Sequence, residues 1–210
     1  MVYINAKFES LAKEKRERII NASLNEFAKN GFEKASTNEI VKFAEISKGS
    51  LFNYFNSKKD LYLYLIEYVP SIIDTIYDEI DLSQRDFFER IKEIGIIKYR
   101  IMTRYPQAFD FLKMVEQEKY FEVQNEIINM KNKVIGEGIE RIYENIDFSK
   151  FRDDIDLEKT LDIIEWTMLS FSEQQRSKIN SFKDIGTEVL SEWDDYFDIM
   201  KRCFYKNEEQ

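Results

Sequence analysis

The chain has 210 residues, 43% hydrophobic and 34% charged, with 31 Lys and Arg against 40 Asp and Glu for a net charge of −9. That apolar share is ample for a buried core, and two Pro, six Gly and no low-complexity stretch leave no linker between modules. The lack of any histidine removes the commonest general base, zinc ligand and partner of a nucleophilic Ser or Cys, and the lone Cys203 cannot form an internal disulfide.

Residues Ser36 to Leu61, STNEIVKFAEISKGSLFNYFNSKKDL, hold three helix-start signals about ten residues apart. Ser36 with Glu39 fits a capping box, Ser57 with Asp60 is a near relative, and Ser47 is a plain N-cap before Lys48. Ile40, Ala44, Ile46, Leu51 and Phe55 are spaced to let two short helices, joined by Glu45–Ser47, bury one shared seam. Lys48, Gly49, Ser50, Asn53 and Tyr54 are left pointing outward, and none is needed to fill that seam. They are small, cationic or hydrogen-bonding, as side chains that read base edges in a major groove are. Lys48 to Tyr54 is therefore the candidate reading helix, although an ordinary helical hairpin with a solvated face has the same spacing.

The run Ile40, Ala44, Ile46, Ser47, Lys48, Gly49, Leu51, Tyr54, Phe55, Lys58, Leu61 resembles the TetR family of bacterial transcriptional regulators. The resemblance covers roughly the first third of the chain, and extends upstream through a helix carrying Ile20, Leu24, Phe27 and Ala28 that closes at Asn30-Gly31-Phe32. It implies that Thr37 and Tyr54 hold phosphates, that Lys48, Ser50 and Asn53 face the groove, and that Lys58 grips the DNA backbone at the next helix start. Two positions depart from the family pattern. Phe52 stands where a Tyr hydroxyl often touches phosphate, and Glu45 stands where the turn often has Gly. A left-handed backbone at Glu45 would cost about 1 kcal/mol.

Charge divides along the same line: residues 1–60 carry 11 Lys and Arg against 8 Asp and Glu, residues 61–210 carry 20 against 32. A basic reading face on an acidic chain is compatible with nucleic acid, because binding depends on the face that meets phosphate. The expected division is a DNA-binding domain over 1–57 and a ligand-binding and dimerisation domain over 58–210, joined by a continuous helix.

Helical periodicity continues to the end and strand-like alternation is nowhere sustained, predicting an all-α fold of about nine helices. The expected spans are Lys58 to Ile80 with a bend near Pro70, Gln84–Tyr105, a shorter helix opened by Pro106, Tyr120–Ile146 weakened by Gly136 and Gly138, Leu157–Ser177 and Lys183–Lys206. The last two carry apolar stripes through Leu161, Ile164, Met168 and Phe171, and through Val189, Trp193, Phe197 and Met200. Periodicity leaves both stripes open between core and interface. The resemblance implies a homodimer through a four-helix bundle, which would set two heads on a pseudo-palindromic operator about 34–36 Å apart. It also implies a pocket among the middle helices. Tyr99, Met102, Phe109, Leu112, Met114 and Trp166 are its candidate lining, suited to a small hydrophobic effector, although such a stripe also reads as plain core.

Asp153, Asp154 and Asp156, and the pair Asp194 and Asp195, lie at helix starts or on exposed faces, where acids cap or solvate. No phosphate-binding loop or ligand-spaced Cys pattern occurs, so neither enzyme activity nor a metal or cofactor is expected. No uncharged apolar run approaches the roughly 18 residues of a membrane span, and a cytoplasmic location follows as the simplest expectation. The expected function is a ligand-responsive repressor released from DNA by its effector. The alternative is a small-molecule carrier or protein-interaction module with a vestigial head.

Overall fold

The structure, a computed structural model, describes residues 6–118 and 120–207, with the backbone alone described at residue 121 and across 131–140. Ten α-helices make up the described chain: α1 (Ala6–Glu9), α2 (Lys13–Lys34), α3 (Thr37–Phe43), α4 (Lys48–Tyr54), α5 (Lys58–Asp78), α6 (Phe87–Arg104), α7 (Pro106–Gln117), α8 (Gln124–Tyr143), α9 (Leu157–Lys178) and α10 (Glu188–Phe204). Three short 3-10 turns lie between them. The fold is all-α, as the periodicity predicts. α1 lies outside the expected spans, α8 runs unbroken through Gly136 and Gly138, and α10 begins late because Phe182–Asp184 forms a 3-10 turn instead. Pro106 opens α7 at a position where its missing N–H is lost to no helical bond. Pro70 lies inside the continuous α5.

Contacts gather the chain into two packing units: Met1–Thr75 with Tyr105–Glu137, and Ile76–Arg104 with Gly138–Gln210. The first unit therefore holds more than the reading head. α7 packs on α2, and Phe27, Phe111 and Tyr62 form an aromatic cluster with centroids 4.9–6.5 Å apart. Burial and the nearby Glu118 carboxylate push the Tyr62 phenol up.

The second unit is built on rings from α6, α10 and the chain around Phe151. Phe88 meets Phe197 and Tyr205, and Trp193 stacks edge-on to Phe197 at 4.4 Å. Asp86, just before α6, accepts from the Lys150 ammonium at 2.7 Å, the Tyr205 hydroxyl at 3.1 Å and the Glu89 N–H at 3.1 Å. Burial pushes this carboxyl up, but the three hydrogen bonds outweigh it and hold Asp86 below the ordinary value. The fully buried Arg90 donates to the carbonyls of Leu82, Gln84, Ile142 and Glu144. A cation is thereby placed at the negative end of α8. The acidic residues singled out in the sequence serve local roles: Asp156 caps α9, Asp154 pairs with Arg152, Asp153 with Lys206 and Asp194 with Lys92.

Candidate nucleic-acid interface

The first unit builds its candidate interface from three helix ends. α2 buries Ile19, Ile20, Leu24 and Phe27, then turns at Gly31, whose φ of 68° is left-handed and whose break in the helix agrees with the expected closure there. The Phe32 N–H freed by this break donates to Glu118 Oε2 at 2.9 Å. The Ser36 N–H that a full capping box would satisfy through Glu39 goes instead to the buried Glu26, at 2.8 Å. Ser36 Oγ still accepts from Glu39 N–H, at 3.5 Å, while the Glu39 carboxylate pairs with Lys42. The box expected at Ser36 and Glu39 is thus half made, because a long-range acceptor on α2 reaches the orphan donor first.

α3 ends in a Schellman turn: Glu45 N–H donates to the Lys42 carbonyl, and Ile46 N–H to that of Val41. Glu45 holds the left-handed position, with φ 56°. α4 follows with Ser47 as N-cap, its Oγ accepting from Ser50 N–H at 3.0 Å. Ile40, Ala44, Leu51 and Phe55 are buried in the predicted seam, and Ile46 is half-buried.

The outward face of α4 holds the predicted residues. Lys48, Gly49 and Asn53 are exposed, Ser50 and Tyr54 are half-buried, and Thr37 is half-buried in the first turn of α3. Ser50 Oγ lies 2.8 Å from Ser47 Oγ, which ties it to the cap. A side chain added at Gly49 would meet only Ser47 Oγ, at 3.9 Å, so nothing inside the chain requires this position to be bare. Lys58 is committed within the chain: its ammonium donates to the Glu33 and Ala35 carbonyls at 2.9 and 3.2 Å and lies 5.1 Å from the Phe32 ring centroid.

α1 adds what the sequence reading missed. Phe8 is buried against Tyr54, Phe55 and Tyr64, and sets Lys7 Nζ 3.3 Å from Asn53 Oδ1. Lys15 of α2 stands 5.9 Å from the Tyr54 ring centroid. Two further cations therefore border the reading face. A lone Phe in the polar run AKFES was the available signal, too short to show a period.

A family of known proteins, described as bacterial regulatory proteins of the tetR family, matches this region over residues 19–65. Over this region the chain belongs with the TetR family. It is similar to the probable acrEF/envCD operon repressor of Escherichia coli K12, 23% identical over 101 residues, and to the HTH-type transcriptional regulator RutR of the same strain, 31% identical over 96. These matches cover 48% and 45% of the chain, which spans just under half the length of these curated relatives, 46% and 44%. Among solved structures, a TetR family transcriptional regulator from Chloroflexus aurantiacus matches with a TM-score of 0.62 at 20% identity, covering 96% of this chain and 98% of that one. The ketosteroid regulator KstR2 of Mycobacterium tuberculosis matches with a TM-score of 0.64 at 16% identity, covering 94% and 98%. Both likenesses establish the TetR fold beyond the head.

In the second unit the predicted interface residues differ in burial. Ile164, Phe171, Trp193, Phe197 and Met200 are buried within the chain, with the Trp193 ring tilted against Phe171 at 4.8 Å. Leu161, Met168 and Val189 are half-buried beside them. A side chain already covered by its own chain has little surface to offer a partner. The apolar residues of α9 and α10 that remain exposed are Ile163, Trp166, Leu169, Tyr196 and Ile199. Trp166, expected in a pocket, is 65% exposed on this outer stripe. Of the other pocket candidates, Tyr99 and Met102 are half-buried in the second unit, and Phe109 is buried in the first with Leu112 and Met114 half-buried.

Proposed function

We propose that this TetR-family protein is a dimeric DNA-binding transcriptional regulator, with residues 1–57 reading the operator and residues 58–210 dimerising and taking an effector. The bare Gly49 carries the reading. Glycine inside a helix costs about 1 kcal/mol relative to alanine, and here no neighbour in the chain accounts for it. An outside surface brought against the backbone of α4 does account for it, with Lys48 and Asn53 exposed on either side to meet phosphate and base. Ile163, Trp166 and Leu169 recur every three residues on α9, beside Tyr196 and Ile199 on α10, and a two-fold axis through that stripe buries each copy's apolar surface on the other's. Two heads then meet a pseudo-palindrome.

Repression is the mode we assign, with release by a small hydrophobic effector that binds one arrangement of the heads better than the other. To move the operator from mostly occupied to mostly free, that preference must be several kcal/mol. Selection of duplexes from a random pool, followed by salt titration, tests the reading. A dimer neutralising several phosphates loses about a thousandfold in affinity between about 50 and 200 mM salt. A carrier with a vestigial head selects no sequence at any salt concentration. Asn53→Ala should relax preference at one position per half-site, and unchanged preference would assign the reading to another residue.

A further inference from the structure

The reading helix carries one exposed side chain that can make no hydrogen bond. Phe52 keeps 39% of its surface in solvent on a helix of seven residues, while Leu51 and Phe55 on the same helix fill the seam. Side chains on a helix lean toward its N-terminus and cover the turn before their own Cα. Residues 48 and 49, four and three positions before Phe52, therefore share its side of α4. Gly49 has no side chain there, and a Cβ would find open space up to Ser47 Oγ. The exposed ring and the bare position 49 thus share the outer side of α4 with the exposed Lys48, and the exposed Asn53 follows Phe52 directly in the chain.

The edges of base pairs in the major groove offer donors and acceptors almost everywhere. The exception is the 5-methyl group of thymine, the one apolar feature there. A ring that covers any other edge strips water from a polar group and returns no hydrogen bond, at a cost in affinity. We infer that Phe52 is a specificity-determining residue that selects thymine by its 5-methyl group. This rests on the proposed reading of DNA by α4. Asn is suited to adenine by a bidentate pair, and with Asn53 next to Phe52 the half-site holds this thymine within a step or two of an adenine.

The test uses the full chain and the duplex it selects, with deoxyuridine, which lacks only the methyl group, replacing thymidine at one position at a time. At one thymidine per half-site, replacement should weaken wild-type binding about fourfold, the value of one buried methyl, and about sixteenfold when both half-sites are changed. With Phe52→Ala the same replacement should change affinity by less than about twofold, as coupling between the two groups requires. Phe52→Gln, which keeps a long side chain over the same turn, serves in its place where the alanine variant fails to fold. Tight binding with no sensitive thymidine overturns the inference and leaves the reading of DNA intact. Sensitivity that persists in both variants shows that another residue meets the methyl, which also overturns it. A wild-type protein that retains no duplex removes the reading of DNA and the inference with it.

Discussion

Gly49→Ala separates folding from recognition, because it should move the two in opposite directions. The added methyl lies 3.9 Å from its nearest neighbour, ordinary van der Waals contact, so the folded head accepts it without strain. Alanine also restricts the unfolded chain and favours the helix, together worth about 0.5–1 kcal/mol at this position near the N-terminus of α4. Thermal unfolding should rise by about 2 °C for a chain of this size. If α4 meets DNA with its backbone at Gly49, the same methyl occupies space the duplex needs. Overpacking of a close approach costs about 1–3 kcal/mol, so affinity should fall by about five- to 150-fold per half-site. The assay pairs a melting curve with a binding isotherm on one protein preparation. A stabilised variant with wild-type affinity would refute the placement of Gly49 against DNA. A destabilised variant would refute the claim that nothing in the chain needs the glycine.

Glu45→Gly relieves a left-handed backbone on an exposed residue and should stabilise the head by about 1 kcal/mol, read as a shift in denaturant midpoint with unchanged slope. Asp86→Asn removes the charge that Lys150 and Tyr205 donate to, and should destabilise the chain by about 1–3 kcal/mol at neutral pH. Because the folded carboxyl titrates below its ordinary value near 3.8, its contribution is present above that pH and lost as pH falls below it. Wild type and Asp86→Asn should therefore converge in stability in acid, and a gap that stays constant down to pH about 2 would contradict this. Trp166→Glu should give monomers by light scattering while leaving the melting curve nearly unchanged, whereas Phe197→Ala should lower stability by about 3–5 kcal/mol. Lys48→Ala should reduce the slope of log affinity against log salt by about 0.9 for each phosphate that is no longer neutralised, with folding unaffected.

Local signals were legible in this chain where one side chain meets one nearby backbone group. Ser47 capping α4, Asp156 capping α9, Pro106 opening α7 and the strained turn at Glu45 all depend on neighbours within four residues. The seam of Ile40, Ala44, Leu51 and Phe55 was equally open to reading, since two short helices with a three-residue turn have few ways to pack. Long-range partners were not. Glu26 reaching Ser36 and Glu118 reaching Phe32, 86 residues away, depend on folds of the chain that no period encodes. The stripes of α9 and α10 were ambiguous for a different reason. A helix with apolar residues on two faces has one for the core and one for a partner, and periodicity ranks neither. The larger stripe went inward, and the smaller one, Ile163, Trp166 and Leu169, stayed outside.

The long-range bonds also bear on how a fall in DNA binding is interpreted. Three side chains hold the junction of α2, α3 and α5 by satisfying backbone groups that helix ends leave over: Glu118 on the Phe32 N–H, Glu26 on the Ser36 N–H, and Lys58 on the Glu33 and Ala35 carbonyls. α3 follows directly from that junction, and α4 packs on α3 through the buried seam, so the junction sets where the reading face lies. Removing any of the three would shift α4 without touching DNA. Lys58 is the instructive case, since an ammonium has three N–H groups and two are already given to carbonyls. Only the third is left for a phosphate. Weakened binding in Lys58→Ala would thus combine a displaced head with a missing phosphate bond, and affinity cannot divide the two. The salt slope can, because a displaced head that keeps its phosphates keeps its slope, while each phosphate given up lowers it.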